Sequence, residues 1–510
     1  MTSGRYYISS LFWSIFQKAL TAVVGLISTP LLLGVYGQAD FGILSIATAC
    51  NGYMHLLDLG MNTGAVRYFS MYLAKGDTTR LYDVARTNIT FYTIISILNI
   101  LCLLAIASYG EKFFSITHEQ FLTLRSCIYI LAIFCIFNWT STSFNQLLVA
   151  DKQMSFTMKV SSLTVCMRAL LLVIVFYFPC AVTTYFFWVT AITSSLVIPY
   201  AIKCKNDKII DKLQPALHWA EFKPVLIFSL SIFALSLFQM TATQTRPLIL
   251  GICADDGAVS VTEFTIISVF PTLIIMIGAT FTSIFLPKTS EMVIRGNLSE
   301  QQEFAYHWTT LTTILANILC FPFIIGADDI LAAYVGSDYV YLTKWLIVWI
   351  VCTLMQIHST PANALMLSHG KTRIMVYVTG AACVISIIIN ALLAPTMSVG
   401  SAIIGYTVYI LINFLTYYGY YNHKILKLSN HRIFSSFAKP TIIGAFTYAI
   451  ILFTIGGGKT QIFSHERADS LTSFIIKTTA WITLYGILLF AFKIIKPIHF
   501  TAKKSQNIKS

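Results

Sequence analysis

Along the chain, apolar runs of about 20 residues alternate with short polar segments from end to end. Runs of that length satisfy their own backbone hydrogen bonds as helices when no water is at hand. The pattern predicts fourteen helices. Six fall at about 8–34, 42–66, 87–109, 122–149, 157–178 and 181–201, and six more at about 225–251, 261–286, 308–326, 341–367, 373–393 and 399–421. The last two lie at about 438–456 and 473–495. The expected class is therefore an all-α, polytopic membrane protein.

The first two sets repeat one another. Pro30-Leu31-Leu32-Leu33-Gly34 returns as Pro247-Leu248-Ile249-Leu250-Gly251, and Asp40-Phe41-Gly42-Ile43 returns as Glu263-Phe264-Thr265-Ile266. Gln146-Leu147-Leu148 through Lys152 matches Ala364-Leu365-Met366 through Lys371, and Pro179 is matched by Pro395. Six helices is an even number, so both repeats share one orientation and are related by an axis along the membrane normal. The expected division is an N-lobe over 1–205, a C-lobe over 206–425, and two further helices with a basic tail over 426–510.

Composition agrees with a membrane reading. Of 510 residues, 56% are hydrophobic and 11% charged, against about 25% charged in soluble domains. The net charge of +13 is scattered through short loops and does not form a nucleic-acid patch. Counting the predicted helices puts Lys203, Lys205, Lys208, Lys212, Lys223 and most other basic residues on one side. Asp255, Asp256, Asp328, Asp329 and Asp338 fall on the other. The positive-inside rule then predicts both termini in the cytoplasm. The first apolar run starts near Ile8 and is too long for a cleaved signal, so it is expected to remain a membrane helix. Cys102, Cys127, Cys135, Cys166, Cys352 and Cys383 sit inside apolar runs without metal-binding spacing and read as packing residues. No phosphate-binding glycine loop occurs, and the loops are too short for a soluble catalytic domain. We therefore expect no enzyme activity, no cofactor and no metal.

The helices carry polar stripes at spacings of three and four. The first has Ser14, Lys18, Thr21, Gly25 and Ser28; the second has Thr48, Asn51, His55, Asp58 and Asn62. The seventh has Gln239, Thr243 and Arg246, and the eighth has Thr265, Ser268, Thr272, Thr280 and Ser283. The fourth has Asn138, Ser141 and Asn145; its counterpart, the tenth, has Gln356, Thr360 and Asn363. Such stripes avoid lipid. On repeat-related helices we read them as the lining of a water-filled cavity between the halves, the alternative being hydrogen-bonded helix packing.

Charges within the apolar runs cost about 2.5–3.5 kcal/mol each on insertion scales. They are Lys18, Asp58, Arg168 and Arg246, with Arg67 near an end. The excess of cations suits an anionic head group. Lys18, Arg246 and Arg168 are thus candidate substrate contacts, although Arg168 could equally pair with Asp58. Asp58 is either a gate or ion-coupling carboxylate or a helix-end group paired with Arg67. His55 shares its face, and an unperturbed imidazole titrates near neutrality.

At these residues the chain resembles a family. Gly4-Arg5, Pro30 to Gly34, Leu56-Leu57-Asp58-Leu59-Gly60 with Arg67, Gln244-Thr245-Arg246 through Gly251, and Gly370-Lys371 with Asn390, Pro395 and Gly400 are similar to polysaccharide flippases of the multidrug/oligosaccharidyl-lipid/polysaccharide exporter superfamily. The resemblance implies two six-helix lobes working by alternating access in the bacterial cytoplasmic membrane. It also implies an undecaprenyl-pyrophosphate-linked oligosaccharide as substrate, polysaccharide polymerase and chain-length machinery as partners, and a lipid-tail groove at the last two helices. The family often has Asp immediately before the basic residue of its seventh helix. Thr245 stands there in this chain, which leaves Asp58 as the carboxylate for ion coupling. The rival readings are a drug/cation antiporter of the same superfamily, which calls for acidic cavity residues, a polysaccharide polymerase or ligase, which calls for a long outer loop, and a scaffold protein, which needs no matched stripes.

Overall fold

The computed structural model describes residues 3–58, 60–209, 215–369, 372–455, 467–492 and 494. Among them the structure is helical, with no strand. In chain order the helices are α1 (Ser3–Met54), α2 (Met61–Lys75), α3 (Thr78–Tyr109), α4 (His118–Ala150), α5 (Met154–Tyr177), α6 (Val182–Ser194), α7 (Val197–Asn206) and α8 (Trp219–Cys253). They continue as α9 (Gly257–Ile294), α10 (Leu298–Ile325), α11 (Ala327–Val335), α12 (Thr343–His358), α13 (Thr360–Ser368), α14 (Thr372–Met397), α15 (Val399–Thr416), α16 (Asn430–Ile455) and α17 (Arg467–Ala491). Polar residues start several of them. The Asp77 carboxylate accepts from Arg80 N on α3, Thr117 and Gln120 form a capping box on α4, and the Asn297 side chain accepts from Glu300 N on α10.

Twelve described helices are long and apolar enough to cross a membrane, which makes this a multi-pass membrane protein. The difference from fourteen lies in two places. The helices predicted at 8–34 and 42–66 run together in one 41-residue stretch, Phe12–Gly52. They are separated only by Gly37, whose φ of 75° and ψ of 177° suit glycine alone. The other is α8, 35 residues long, which is not among the twelve. Three predicted helices are also interrupted. The second breaks at a 3-10 turn, His55–Asp58, followed by left-handed Gly60. The sixth divides between α6 and α7, and the tenth divides at Ser359, just ahead of Pro361.

The chain forms two compact units. One comprises residues 1–273, 344–352 and 371–416, and the other comprises 274–343, 353–370 and 417–510. In the first unit α1 packs along α5, and α8 packs along α14. These are the first and fifth helices of each sequence repeat, so the duplication is visible as a repeated pairing. Phe69, Tyr92, Trp139 and Phe222 belong to the core of this unit. Close approaches between helices need glycine, at Gly42 and Gly64 among others. A Cβ at Gly42 would collide with the Ala258 carbonyl and come within 2.8 Å of Thr262 Oγ1 on α9. A Cβ at Gly64 would strike the Ser229 hydroxyl on α8. The Thr262 hydroxyl also donates to the Gln38 carbonyl at 2.7 Å, tying α9 to α1.

In the second unit α17 docks through aromatic rings. Trp481 stacks on Phe321 at 5.0 Å and on Tyr485 at 4.5 Å, and its ring N–H donates to the Gly444 carbonyl. The Tyr485 hydroxyl accepts from Asn317 and donates to the Pro440 carbonyl, so its polar atom is satisfied in the apolar interior.

Candidate functional site

Within the first unit lies a cavity of about 510 Å³. Its wall comes from both parts of α1, from α5 and α6, and from Pro247, Phe264, Thr265 and Ser268 of α8 and α9. The first, second, seventh and eighth predicted helices therefore meet here, the fourth and tenth contribute no described residue to the wall, and the stripe residues Thr21, Gly25, Ser28, Thr48, Thr265 and Ser268 line one space. Thr29, Ser45 and Tyr185 line it too, and the sequence pattern did not single them out. Ser45 stands one turn from Thr48 on the same helix, a spacing that would have pointed to it. Tyr185 lies on a helix without a stripe, so nothing in the sequence marked it.

Six of the wall hydroxyls have committed their protons. Thr21 donates to the Gln17 carbonyl, Ser28 to Gly25, Ser45 to Phe41, Thr48 to Leu44, Thr265 to Val261 and Ser268 to Thr265, at 2.7–3.0 Å. Each oxygen keeps lone pairs for a guest that donates. One cation among the described residues, Arg168, exposed on α5, stands against this acceptor surface. Among the described residues it has no ion-pair partner. No carboxylate among the described residues lines the cavity. A guest with an anionic group and several hydroxyls satisfies both kinds of wall.

The other candidates are distributed differently. Lys18 is exposed on α1 and is not among the lining residues. Arg246 is also off the wall. Only 5% exposed, it has its guanidinium carbon 4.1 Å from the Tyr406 ring centroid and 5.7 Å from that of Trp349, which joins α8 to α15 and α12 by cation–π contact. Ser14 has a buried hydroxyl. Asn51 is half-buried, and the His55 ring lies 5.4 Å from Trp139. Thr272 and Gln356 are exposed, and the Asn363 amide donates to the Ser359 hydroxyl. The side chains of Gln239, Thr243, Thr280 and Ser283 lie outside those described.

Asp58 is held by neither of the two arginines weighed for it. The Tyr92 hydroxyl donates to its carboxylate at 2.5 Å, and Asn62 N donates at 3.2 Å. Behind Tyr92, the Gln146 amide donates to the phenol oxygen, and Asn88 donates to both Gln146 and Ser143. A polar chain thus runs from the break between α1 and α2 into the α3–α4 interface. Arg67 is exposed, and its guanidinium carbon lies 6.0 Å from the Tyr68 ring centroid.

Gly25 faces the cavity with nothing within 4 Å of where a Cβ would stand. Gly25→Leu is expected to fold and reach the membrane at the wild-type level while losing most guest binding in the cavity, because its side chain occupies guest volume. Equal guest binding by mutant and wild-type vesicles would show that the guest does not enter this space.

Comparison with known proteins agrees with this architecture. Residues 8–293 match the model of a family described as "Polysaccharide biosynthesis protein". No curated protein matches the sequence. Among solved structures, the chain is similar to the lipid II flippase MurJ in an inward closed conformation, with 12% identity and a TM-score of 0.73, over 95% of this chain and all of that one. It is also similar to an inward-facing multidrug resistance MATE transporter of the MOP superfamily, with 14% identity and a TM-score of 0.63, over 83% of this chain and 99% of that one. The same comparison with an outward-facing MATE transporter gives 14% identity and a TM-score of 0.56, over 83% and 96%. At these identities the likeness is one of fold.

Proposed function

This chain belongs to the polysaccharide biosynthesis protein family, and from that premise we propose that it flips undecaprenyl-pyrophosphate-linked oligosaccharide units from the cytoplasmic to the outer leaflet of the bacterial inner membrane. Both termini are cytoplasmic in this reading. The observation that carries it is the cavity wall, which among the described residues has one open arginine, a surface of hydroxyl lone pairs, and no carboxylate. Arg168 takes a phosphate oxygen by charge-assisted hydrogen bonds, and the sugar hydroxyls donate to Thr21, Ser28, Thr48, Thr265 and Ser268. Alternating access exposes this wall first to one leaflet and then to the other. Asp58, at the helix break and bonded to Tyr92, is the ion-coupling carboxylate. Polymerase and chain-length machinery take the product. A cation antiporter, the other reading, calls for acidic residues, and the described wall has none.

The test is a deletion strain in which lipid-linked units are assigned to leaflets. Single units accumulating on the cytoplasmic side, with loss of surface polymer, support the flippase. Units that reach the outer leaflet yet stay unpolymerised overturn it in favour of a polymerase.

A further inference from the structure

Asp58 stands in the 3-10 turn His55–Asp58, between the apolar spans Phe12–Gly52 and Thr78–Lys112. Both of its oxygens accept: Oδ1 takes the Tyr92 hydroxyl and Oδ2 takes Asn62 N. Behind Tyr92, Gln146 Nε2 donates to the phenol oxygen at 2.6 Å, and Asn88 Nδ2 donates to Gln146 Oε1 at 2.9 Å and to Ser143 Oγ at 3.0 Å. From Asn88 to Asp58 the donors all point towards the carboxylate, which favours its ionised form.

The chain is self-contained. Tyr92, Gln146, Asn88 and Ser143 are buried where α3 meets α4. Both ends of the Gln146 amide bond within the chain, and among the described residues Asn88 Oδ1 has no hydrogen-bond partner. An amide turned over in place exchanges donor for acceptor. Turning both amides therefore reverses the chain without breaking a bond outside it.

Asp58 sets the direction, because a protonated carboxyl is a donor. Its O–H then goes to the Tyr92 oxygen, and the Tyr92 O–H turns to Gln146 Oε1. Gln146 Nε2 and the Ser143 hydroxyl both donate to Asn88 Oδ1. The proton comes from water and returns to water, and each of the chain's bonds is kept with donor and acceptor exchanged. Among the described residues, the titratable groups that face Asp58 are His55, exposed on the same turn, and Tyr92 of α3. From α2 comes Asn62 N, with Arg67 exposed further along; α4 acts through Gln146, and α8 brings Ser229 and Phe233 against Gly60. Burial pushes the Asp58 carboxyl above its ordinary value, with the bonds from Tyr92 and Asn62 N opposing. A hard metal cation calls for several oxygen ligands, whereas the groups bonded to Asp58 are donors.

We propose that Asp58 is a proton site, and that uptake of one proton reverses the hydrogen-bond chain through Tyr92, Gln146, Asn88 and Ser143. The coupling ion is then a proton, a statement that rests on the proposed function for its link to transport.

The test is pH-titrated infrared difference spectroscopy on the full-length protein in lipid nanodiscs, in sodium chloride or choline chloride of equal strength. Wild type is expected to show a titrating carboxylic acid C=O band that is absent in Asp58→Asn and indifferent to sodium. Tyr92→Phe keeps the ring and is expected to raise the midpoint of that band by about one pH unit, as for loss of one hydrogen bond to the ionised form. Gln146→Met is expected to move the midpoint in the wild-type background and not in Tyr92→Phe, where the link is already cut; a merely structural role would act equally in both. No titrating band, a band that survives in Asp58→Asn, a midpoint that falls as sodium replaces choline, or equal effects of Gln146→Met in the two backgrounds would each overturn the assignment. Flipping of labelled lipid-linked units is followed in parallel in proteoliposomes. Titration of Asp58 without flipping strikes the proposed function and leaves the proton site standing, and flipping without titration strikes the proton site.

Discussion

Arg168→Ala is expected to lower transport about 10–100-fold, as for loss of a hydrogen-bonded charge contact of about 1.5–3 kcal/mol. The argument rests on what Arg168 does not do. It lines the cavity, is exposed, and is in no ion pair among the described residues. Its removal therefore strands no carboxylate and opens no packed core, so the variant should insert and melt like wild type. Arg168→Lys keeps the charge without the two-pronged fork and should fall between. Flipping of labelled lipid-linked units in proteoliposomes is the readout, with thermal stability measured alongside. A wild-type rate in Arg168→Ala would remove the arginine from the mechanism. A loss of rate matched by a loss of stability would make its role structural.

The second large effect is expected at Gly42. Any side chain there meets the backbone carbonyl of Ala258, which cannot rotate away. Overpacking of this kind costs about 1–3 kcal/mol even for one methyl. Gly42→Ala should lower the melting temperature by several degrees and weaken the hydrogen bond from Thr262 to Gln38, which lies beside it. Gly34→Ala, eight residues earlier on the same helix and with open space around it, is the matched control and should be neutral. Equal melting of Gly42→Ala and wild type would show that α1 and α9 do not stay in contact in the membrane.

The fold was largely legible because lipid imposes one rule on the backbone, and a count of apolar runs reads that rule directly. The interruptions were harder to read. Gly37 and Gly60 break helices through left-handed backbone, yet each sits in a run whose hydropathy continues past it. The stripes on α1 and α9 were legible as periodic hydroxyls, and they converge on one cavity. Which charges join them was not legible. Spacing gives the face of a residue but not its depth or the partner opposite. Lys18 shares the stripe of Thr21 but not its cavity, and Arg246 is enclosed by Trp349 and Tyr406, more than 100 residues away in the chain. Asp58 had two arginines proposed for it and is held by a tyrosine. Aromatic partners of this kind leave no mark in a charge pattern.

The wall hydroxyls have a consequence for the range of cargo. A binding site tells one sugar from another mainly through directional donors and acceptors that match equatorial and axial groups. Here these donors are turned back into the helices, and each oxygen offers only its remaining lone pairs, which accept over a broad range of angles. Such a wall reads the anchor and the girth of a glycan more closely than its stereochemistry. On the proposed function, exchange of one repeat unit for another of similar width should therefore be tolerated.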